Sequence, residues 1–573
     1  MACKTMVKPK IDFSLGWMSS AQKKDALIII ERGVSEPNMA KWLIDMALKD
    51  YFRAMSHDPG ALERFPIGHS LNNDRARLSD YGLATEMSLT SVVLGTELHG
   101  ARLDFEVIDD DDVAKNYSVF LKKRLADFKT VAISTTYTVK ILTIQNLIKT
   151  IRSIDPDIPI ILGGQGLSAW RLQFREPSLL LNEFEQADVL YFGEAEGVFA
   201  QLVKTLSDGK SLKKHPNTVV NDNSKPYGDW TPNQTDLDRA ALPDWSILKH
   251  YSFNDGLIQR HGLPKVAPIE EGRGCSFRCK FCSYPLYSMF RRKSPERIVK
   301  ELKSIENEEF ESVSFVGAEF LMPLKDSKKI FEAIAKESFS LDIWSYARLD
   351  LISHNPWIAD LMKAANFKYI QFGMESGDRS VLRSMGKNYD PTRMKVGRSL
   401  LKERDIEVYA SIIVEYPGET ADTIDKTISV LVDCNFEHVF IHALNVVPGS
   451  RLWDERDKYG IVLNALGLWS HPSMNVAEVP AHIKRIFQDL SKNTSSYVDN
   501  ITQNFANLFH IQKPDRAMLL ETSRALQNIV CNEWDQKPNP DMTQRRLQLG
   551  GKLGDLIETI PGFLLEVVQD KSP

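Results

Sequence analysis

The segment APIEEGRGCSFRCKFCSYP, residues 267–285, carries three cysteines directly after an apolar strand pattern. Cys275, Cys279 and Cys282 are separated by three and then by two residues. A loop that leaves the carboxyl end of a strand can wrap around a cubic iron-sulfur cluster, and three thiolates would bind three irons and leave the fourth open. The segment therefore predicts a [4Fe-4S] site at the start of an α/β domain.

The cysteines have two alternative roles that their spacing leaves open. A structural zinc site normally needs four protein ligands, and no fourth cysteine or suitably spaced histidine lies nearby. Three cysteines could also serve as small core residues without binding a metal. The remaining cysteines of the chain, Cys3, Cys434 and Cys531, are scattered, so they form neither a disulfide framework nor a second cluster motif.

The sequence that follows the cysteine motif alternates strand patterns with helical text. Six βα units fall short of the eight that close a barrel, so the pattern predicts a partial (β/α)6 barrel with an open side that can admit a large substrate. We assign this barrel to residues 263–475. Its strands are predicted at 265–270, 312–317, 342–347, 368–373, 407–414 and 438–446.

The sequence before the motif has the same alternating character, which predicts a Rossmann-like or flavodoxin-like domain over residues 1–206, with a helical N-terminal extension. Turn-forming residues predict a linker at 207–262, and helical periodicity predicts a helical domain at 476–573. The fold class is thus α/β with a small carboxy-terminal helical domain. Strands of the first domain are predicted at 26–33, 102–109, 130–136, 158–164 and 187–193.

Composition excludes several classes of protein. With 573 residues the chain is too long for one hydrophobic core. The net charge of -5 is spread along the chain, so we expect no nucleic-acid partner. The opening residues lack the features of a secretory signal, and no apolar run is long enough to cross a bilayer. These features predict a cytoplasmic protein without a transmembrane segment.

The pattern C-x-x-x-C-x-aromatic-C, with Phe281 in the aromatic place, resembles the signature of the radical S-adenosylmethionine (SAM) superfamily. Several longer segments resemble the subgroup that carries an amino-terminal cobalamin-binding domain. They include LGGQG and YFGEAEG in the first domain, DLDRAALPDWSIL in the linker, and RRKSPERIVKEL, YIQFGMESGDRSVLRSMGK, VEYPGET and NVVPGSRLW in the barrel. The resemblance covers roughly residues 85–475.

This resemblance implies that the open iron binds SAM and that a set of barrel residues contacts it. For Glu319 the alternative is an ion pair with a barrel-rim arginine, and for Arg348 it is a pairing with Asp350 or Glu375. Glu419 is predicted to lie in a turn, with Thr420 capping the next helix. The residues implied to contact SAM are Phe281, Gly317, Glu319, Arg348, Glu375 and Ser411.

The resemblance also implies cobalamin at the strand ends of the first domain. Small residues at these positions equally suit any tight βα turn, and a vestigial scaffold is a further alternative. The D-x-H-x-x-G segment that supplies an axial histidine in many cobalamin proteins is absent from the sequence. The residues implied to contact cobalamin are Ser134, Thr135, Thr136, Gly163, Gly164, Gln165, Gly193 and Glu194.

By resemblance, the chain is expected to be a cobalamin-dependent radical SAM methyltransferase. Its substrate would be an unactivated carbon, less often phosphorus, of a natural-product, peptide or lipid precursor. An external donor such as flavodoxin or ferredoxin would reduce the cluster. One alternative is a radical SAM enzyme for cyclisation, rearrangement or oxidation without methyl transfer, and a second is a noncatalytic iron-sulfur or corrinoid-binding protein.

Overall fold

The chain forms two seven-stranded sheets in the computed structural model. The structure describes residues 23–31, 88–110, 118–136, 141–213, 215–222, 225–228, 230–250, 266–282, 284, 289–308, 310–444, 446, 449–463, 469–474 and 478–498. No helix in this described part is both long enough and apolar enough to cross a membrane.

The first sheet has the strand order β2-β1-β3-β4-β5-β6-β7. The first five strands run parallel, and the last two complete one edge as antiparallel strands. All five strands predicted for the first domain are present. The strands are β1 (Ala26–Glu31), β2 (Phe105–Asp110), β3 (Val131–Ser134), β4 (Ile160–Gly163), β5 (Val189–Tyr191), β6 (Thr218–Asp222) and β7 (Lys225–Gly228).

Helices cover both faces of the first sheet. Strand β1 is apolar at successive positions because Leu27 and Ile29 enter one core while Ile28 and Ile30 enter the other. This double burial confirms the predicted doubly wound architecture. The helices are α1 (Leu89–Gly100), α2 (Ser118–Arg124), α3 (Ile141–Ile154), α4 (Gln165–Phe174), α5 (Pro177–Glu183) and α6 (Phe199–Ser207), with a 3-10 turn at Leu125–Asp127.

The predicted linker contains regular structure that the sequence analysis missed. Strands β6 and β7 fall inside 207–262 and pair antiparallel beside β5. An edge hairpin of this kind buries few apolar side chains, so it leaves little periodicity in the sequence. Farther along, a 3-10 helix at Trp245–His250 places Trp245 edge-on against Phe310 of the barrel, with ring centroids 5.0 Å apart. The domain boundaries themselves stay a prediction.

The second sheet is parallel throughout, in the order β18-β15-β14-β13-β12-β11-β8. In the described chain its two edge strands do not pair with each other, so the barrel is open. All six predicted barrel strands are present. The strands are β8 (Val266–Ile269), β11 (Ser312–Phe315), β12 (Asp342–Tyr346), β13 (Phe367–Glu375), β14 (Glu407–Val414), β15 (His438–Ala443) and β18 (Tyr497–Val498).

Strand β18 lies inside the segment 476–573 that the sequence analysis predicts to be helical, so it corrects that prediction at these two residues. A two-residue strand is too short to leave a pattern in the sequence, and it forms only because β15 offers a free edge. The other predicted helices beyond residue 498, like the N-terminal extension before residue 23, lie outside the described residues. Two small antiparallel pairs complete the strands, namely β9 (Gly272–Arg273) with β10 (Arg291–Arg292) and β16 (Val462–Leu463) with β17 (Trp469–Ser470).

The barrel sheet has an aliphatic face and an aromatic face. Helices pack on the aliphatic face, while Trp344, Tyr369 and Tyr409 form a stack across the other face, with centroid separations of 5.0 and 4.6 Å. The helices are α7 (Pro295–Glu306), α8 (Leu324–Glu337), α9 (Leu349–His354), α10 (Trp357–Ala364), α11 (Arg379–Met385), α12 (Met394–Lys402), α13 (Ala421–Cys434), α14 (Arg451–Asp454) and α15 (Val479–Asn493), with a 3-10 turn at Pro391–Arg393.

Candidate cluster and cofactor site

The three cysteines lie in one loop at the carboxyl end of the barrel. The two-residue strands β9 and β10 pair across the ends of this loop, with Arg273 opposite Arg291 and Gly272 opposite Arg292. All three thiols are free and partly exposed. We call residues 274–290 the cysteine loop. The β9–β10 pair brings together the residues that flank this segment on either side.

The middle of the cysteine loop is anchored to the barrel by Lys280. Its backbone N–H donates to the Met385 carbonyl at 2.8 Å, and its carbonyl accepts from the Leu452 N–H at 2.8 Å. The Lys280 ammonium contacts the Glu455 carboxylate at 3.1 Å and the Tyr459 hydroxyl at 2.6 Å. These contacts connect the loop to α11 and to the segment around α14.

Burial controls the ionisation of the thiols. It raises the pKa of Cys275, Cys279 and Cys282, in the last case to about 11. At Cys279 the charges of Lys387 and Arg348 oppose this effect. The protein alone therefore favours neutral thiols, and a bound metal would supply the positive charge that turns them into thiolates.

The donor set fits an iron-sulfur cluster. Within the described residues, no group of three or more His, Cys, Asp and Glu side chains is placed to hold a single metal ion. A cubane does not require such convergence, because each of its cysteines binds a different iron. Three free thiols in one partly exposed loop meet that requirement. Their ligation of a cluster stays a prediction at this point.

Phe281 lies behind the cysteine loop. Its ring packs edge-on against Tyr416 at a centroid separation of 6.5 Å, and the Lys387 ammonium lies 6.0 Å from its centre. These contacts place the ring against the small cluster of apolar side chains formed by α11 and the residues after β14. Its predicted contact with SAM remains a prediction, and its packing gives it a structural role as well.

Glu319 follows β11 and is 7% exposed. Its carboxylate accepts hydrogen bonds from the backbone N–H groups of Leu321 at 2.9 Å and Arg348 at 3.3 Å. Burial raises its pKa to about 7, opposed by those bonds and by the charge of Arg348. The carboxylate is therefore held in place by backbone amides, and the structure shows no ion pair between Glu319 and an arginine among the described residues.

Arg348 pairs with Asp350, which was one of the two alternatives left open by the sequence. Two hydrogen bonds of 2.9 and 2.8 Å join the guanidinium to the carboxylate. The guanidinium carbon also lies 4.1 Å from the centre of the Phe277 ring, in the cysteine loop. Arg348 therefore supports the loop from the side of β12, and the predicted SAM contact would have to coexist with these contacts.

Gly317 is packed against a carboxylate that sequence reasoning did not identify. A Cβ at this position would lie 2.2 Å from Oε1 of Glu271, so a larger residue could not fit unless that side chain moved. Glu271 is buried, and burial raises its pKa to about 7 against the opposing charge of Arg292. The only sequence signal was its position just after the first barrel strand.

Glu375 is the last residue of β13, whereas Ser411 lies within the neighbouring strand β14, three residues before its end. Glu375 has a φ of +61°, beside a register shift in β13, and its carboxylate accepts from the Lys387 ammonium at 2.8 Å. Ser411 is paired with Gly373, and its hydroxyl lies 3.4 Å from the Gln371 amide nitrogen. Glu375 therefore borders the same end of the barrel as the cysteine loop, and Ser411 lies farther inside the sheet.

The segment after β14 contains two buried carboxylates. The predicted turn is confirmed, since Thr420 caps α13 by accepting from the Thr423 N–H. Glu419 nevertheless has no exposed surface, and the sequence analysis missed Glu415, which is also fully buried and has a φ of +76°. Within the described chain neither oxygen of the Glu415 carboxylate has a hydrogen-bond partner. Burial raises the pKa of both glutamates to about 8.

The predicted cobalamin residues lie together at the ends of β3 and β4, but two of them are committed to the turn. The Thr135 hydroxyl donates to the Gly163 carbonyl at 2.8 Å and accepts from the Leu167 N–H at 2.9 Å. A Cβ on Gly164 would lie 2.8 Å from the amide nitrogens of Thr135 and Thr136. Gly163 has more room, since the nearest atom would be 3.6 Å away, and Gln165 is exposed.

The last two predicted cobalamin residues contact protein. A Cβ on Gly193 would lie 2.1 Å from the backbone nitrogen of Asn233, so its small size serves the packing of the linker. Glu194 forms ion pairs with Arg273 and Arg291 at the ends of the cysteine loop. Contact between these two residues and cobalamin stays a prediction, and the ion pairs of Glu194 were not foreseen from the sequence.

Known proteins share this architecture. Residues 269–431 match the model of the radical SAM superfamily. An uncharacterized methyltransferase of Pyrococcus horikoshii is 24% identical over 322 residues, which cover 56% of this chain and 66% of that protein. Among the first curated relatives, the match spans between 50% and 69% of the relative's own length.

Two solved structures have the same fold over most of the chain. The methyltransferase TsrM from Kitasatospora setae, with cobalamin and a [4Fe-4S] cluster, matches with a TM-score of 0.56 and 16% identity, over 92% of this chain and all of that one. OxsB with aqua-cobalamin and SAM matches with a TM-score of 0.58 and 14% identity, over 91% and 74%. Residues 269–431 of this chain thus match a radical SAM domain, and the chain shares the fold of these two cobalamin-dependent structures.

The buried Glu415 carboxyl makes stability depend on pH. Burial raises its pKa from 4.5 to about 8 in the folded protein, so between these values the folded state binds more protons than the unfolded state. Stability therefore falls as the pH rises through this window. We expect Glu415→Gln to raise the thermal midpoint relative to wild type more at about pH 8 than at about pH 5, as measured by anaerobic melting.

Glu332→Gln is the matched control, since Glu332 is a half-exposed glutamate on α8 that faces Lys328 at 3.9 Å. It should change the midpoint little at either pH. An equal gain for Glu415→Gln at both pH values would contradict the predicted ionisation of the buried carboxyl.

Proposed function

We propose that this chain is a cobalamin-dependent radical SAM methyltransferase. The observation that carries the proposal is the single loop with three free thiols, held closed at its ends and placed at the open carboxyl end of the barrel. The match of residues 269–431 to the radical SAM model and the shared fold of TsrM and OxsB support it.

Cys275, Cys279 and Cys282 would hold the [4Fe-4S] cluster, with one iron left for SAM. The cluster supplies the electron that breaks a carbon-sulfur bond of SAM. The protein supplies position and charge. Lys387 and Arg348 lie close enough to oppose the raised pKa of the Cys279 thiol, and the same charges favour its thiolate. An external donor such as flavodoxin or ferredoxin would deliver the electron.

The barrel rim would bind SAM through groups of different character. Glu319 presents a carboxylate held by two backbone amides, which suits an ammonium group. Gly317 has the Glu271 carboxylate packed against it, and Glu375 and Ser411 lie on the neighbouring strands β13 and β14. Arg348 keeps Phe277 in place within the cysteine loop. We infer that these residues orient SAM toward the open side of the barrel.

Cobalamin would lie against the carboxyl edge of the first sheet. Thr136, Gly163 and the exposed Gln165 would face it there, with the Thr136 hydroxyl already hydrogen-bonded to Ser134, whereas Thr135 and Gly164 form the turn. Bound cobalamin supplies the methyl group that is transferred. We propose an unactivated carbon, less often phosphorus, of a natural-product, peptide or lipid precursor as the methyl acceptor, as the resemblance to the cobalamin-binding subgroup implies.

Loss of one thiol should abolish SAM cleavage. We expect Cys282→Ala to bind less iron and to form at least about a hundredfold less 5'-deoxyadenosine than wild type under anaerobic reduction, because the electron must pass through an intact cluster. Cys434→Ala is the matched control, since Cys434 is a buried free cysteine at the end of α13. Full activity of Cys282→Ala would refute the cluster assignment.

Methyl transfer has its own readout, which needs no substrate. Reconstituted protein with hydroxocobalamin, SAM and a strong reductant should form S-adenosylhomocysteine, up to about one per bound cobalamin, beside 5'-deoxyadenosine. Deoxyadenosine without S-adenosylhomocysteine would favour the cyclisation, rearrangement or oxidation alternative. Neither nucleoside, despite an intact cluster, would favour the noncatalytic alternative.

The cobalamin edge can be tested with two neighbouring glycines. Gly163→Ala should weaken hydroxocobalamin binding severalfold without lowering the thermal midpoint. Its Cβ would have room within the fold, but it would reduce the space for cobalamin at the carboxyl edge of the first sheet. Gly164→Ala should lower the midpoint, because its φ of +105° strains an alanine and its Cβ would lie 2.8 Å from two backbone nitrogens. Unchanged affinity in Gly163→Ala would contradict this placement of cobalamin.

A further inference from the structure

Two arginines face each other at the ends of the cysteine loop. Arg273 in β9 lies directly opposite Arg291 in β10, in an antiparallel pair only two residues long. Like charges at directly opposed positions destabilise such a pair. A negative charge between the two arginines would therefore stabilise this short pair.

Glu194 of the first domain supplies that charge. One of its carboxylate oxygens lies 3.1 Å from Nη1 of Arg273 and 3.1 Å from Nη1 of Arg291, and the other contacts Nη2 of Arg291. The side chains of these three residues are between 13% and 22% exposed. Glu194 thus joins both arginines to the first domain.

Two further carboxylates contact Arg273. Glu196 of the first domain pairs with its Nη2, and Glu270 of the barrel pairs with its Nε at 2.8 Å. For Arg273, burial would lower the pKa, but the charges of Glu270 and Glu196 outweigh it and raise the pKa. Glu196 and Glu270 therefore secure the arginine at the start of the loop, whereas Glu194 reaches the arginines at both ends.

The backbone around Glu194 is also fixed. Its N–H donates to the Asn233 carbonyl at 3.1 Å, its carbonyl accepts from the Tyr191 hydroxyl at 2.8 Å, and its carboxylate accepts from the Thr235 N–H at 2.8 Å. Burial alone would raise the pKa of Glu194, but the hydrogen bond from Arg291 and the charge of Arg273 outweigh it, and the pKa is lowered. The bridging group is thus a rigidly placed carboxylate.

We propose that Glu194 is a positioning residue that makes the conformation of the cysteine loop depend on the first domain. By bridging Arg273 and Arg291 it holds the two ends of the loop together, so movement at the carboxyl end of β5 is transmitted to the three thiols. This proposal rests on the proposed function, because it gives Glu194 the role of linking the first domain to the iron-sulfur cluster. The contacts of Glu194 with Arg273 and Arg291 involve protein groups only and do not require a bound cofactor.

The proposal predicts that Arg291→Gln has opposite effects on hydrogen exchange in the wild-type and in the Glu194→Gln background. Glu194→Gln leaves two arginines opposed without the carboxylate that bridges them, so backbone amides of residues 272–293 should exchange hydrogen about tenfold faster than in wild type. Arg291→Gln should also speed exchange in the wild-type background, because it removes one side of the bridge. In the Glu194→Gln background the same substitution should slow exchange, because it removes the repulsion. Hydrogen exchange monitored by mass spectrometry should be measured on four full-length proteins, namely wild type, the two single variants and the double variant.

Glu196→Gln is the matched control, because it removes a first-domain carboxylate that pairs with Arg273 at one end of the loop. It should have a smaller effect than Glu194→Gln, and Arg291→Gln should not reverse sign in its background. Exchange in Glu194→Gln at the wild-type rate, additive behaviour of the double variant, or an equal effect of Glu196→Gln would each overturn the proposal.

A second readout uses the reconstituted protein. In Glu194→Gln the reduced cluster should release iron faster to a chelator and should show a smaller change in its electron paramagnetic resonance spectrum when SAM is added, with Arg291→Gln restoring part of both. If Glu194 had only a structural role, Glu194→Gln would lower the thermal midpoint, and Arg291→Gln would restore neither the iron retention nor the spectral change. That result would overturn the proposal. If wild type binds no cluster, the proposed function fails, while the hydrogen-exchange comparison still decides the role of Glu194.

Discussion

In a parallel sheet every strand ends at the same edge, and the parallel strands of both sheets of this protein obey that constraint. It places the cysteine loop after β8, Glu319 after β11, Arg348 after β12 and Glu375 at the end of β13 around one opening. These residues lie far apart in the sequence. Their proximity follows from the direction of the strands, which the hydrophobic core enforces by burying both faces of the first sheet and the helix-facing side of the second.

The opening is surrounded by carboxylates that the protein buries at an energetic cost. Glu271, Glu319, Glu415 and Glu419 all have raised pKa values because burial disfavours their charged forms. By contrast, Glu375 has an ion pair with Lys387. Buried carboxyl groups with raised pKa values are a common feature of functional sites.

Much of the fold was predictable because its signals are local. The apolar runs of β1 and β14 and the cap of Thr420 are each contained within a few residues of sequence, and the structure confirms all of them. The strands inside the predicted linker and the short strand β18 were missed, because they depend on a neighbouring edge and not on their own composition. Arg348 pairs with Asp350 two residues away, which the sequence left as one of two alternatives.

Spacing and periodicity are properties of the chain itself, so the order of βα units, the cysteine motif and the resemblance to the radical SAM superfamily were evident without any coordinates. Which charged side chains form long-range ion pairs is not indicated by these local patterns. Glu194 and Arg273 are far apart in sequence, and no pattern in either segment indicates that they form an ion pair. Such pairs depend on how the first sheet meets the barrel, which is settled by the packing of both cores and not by any local stretch of residues.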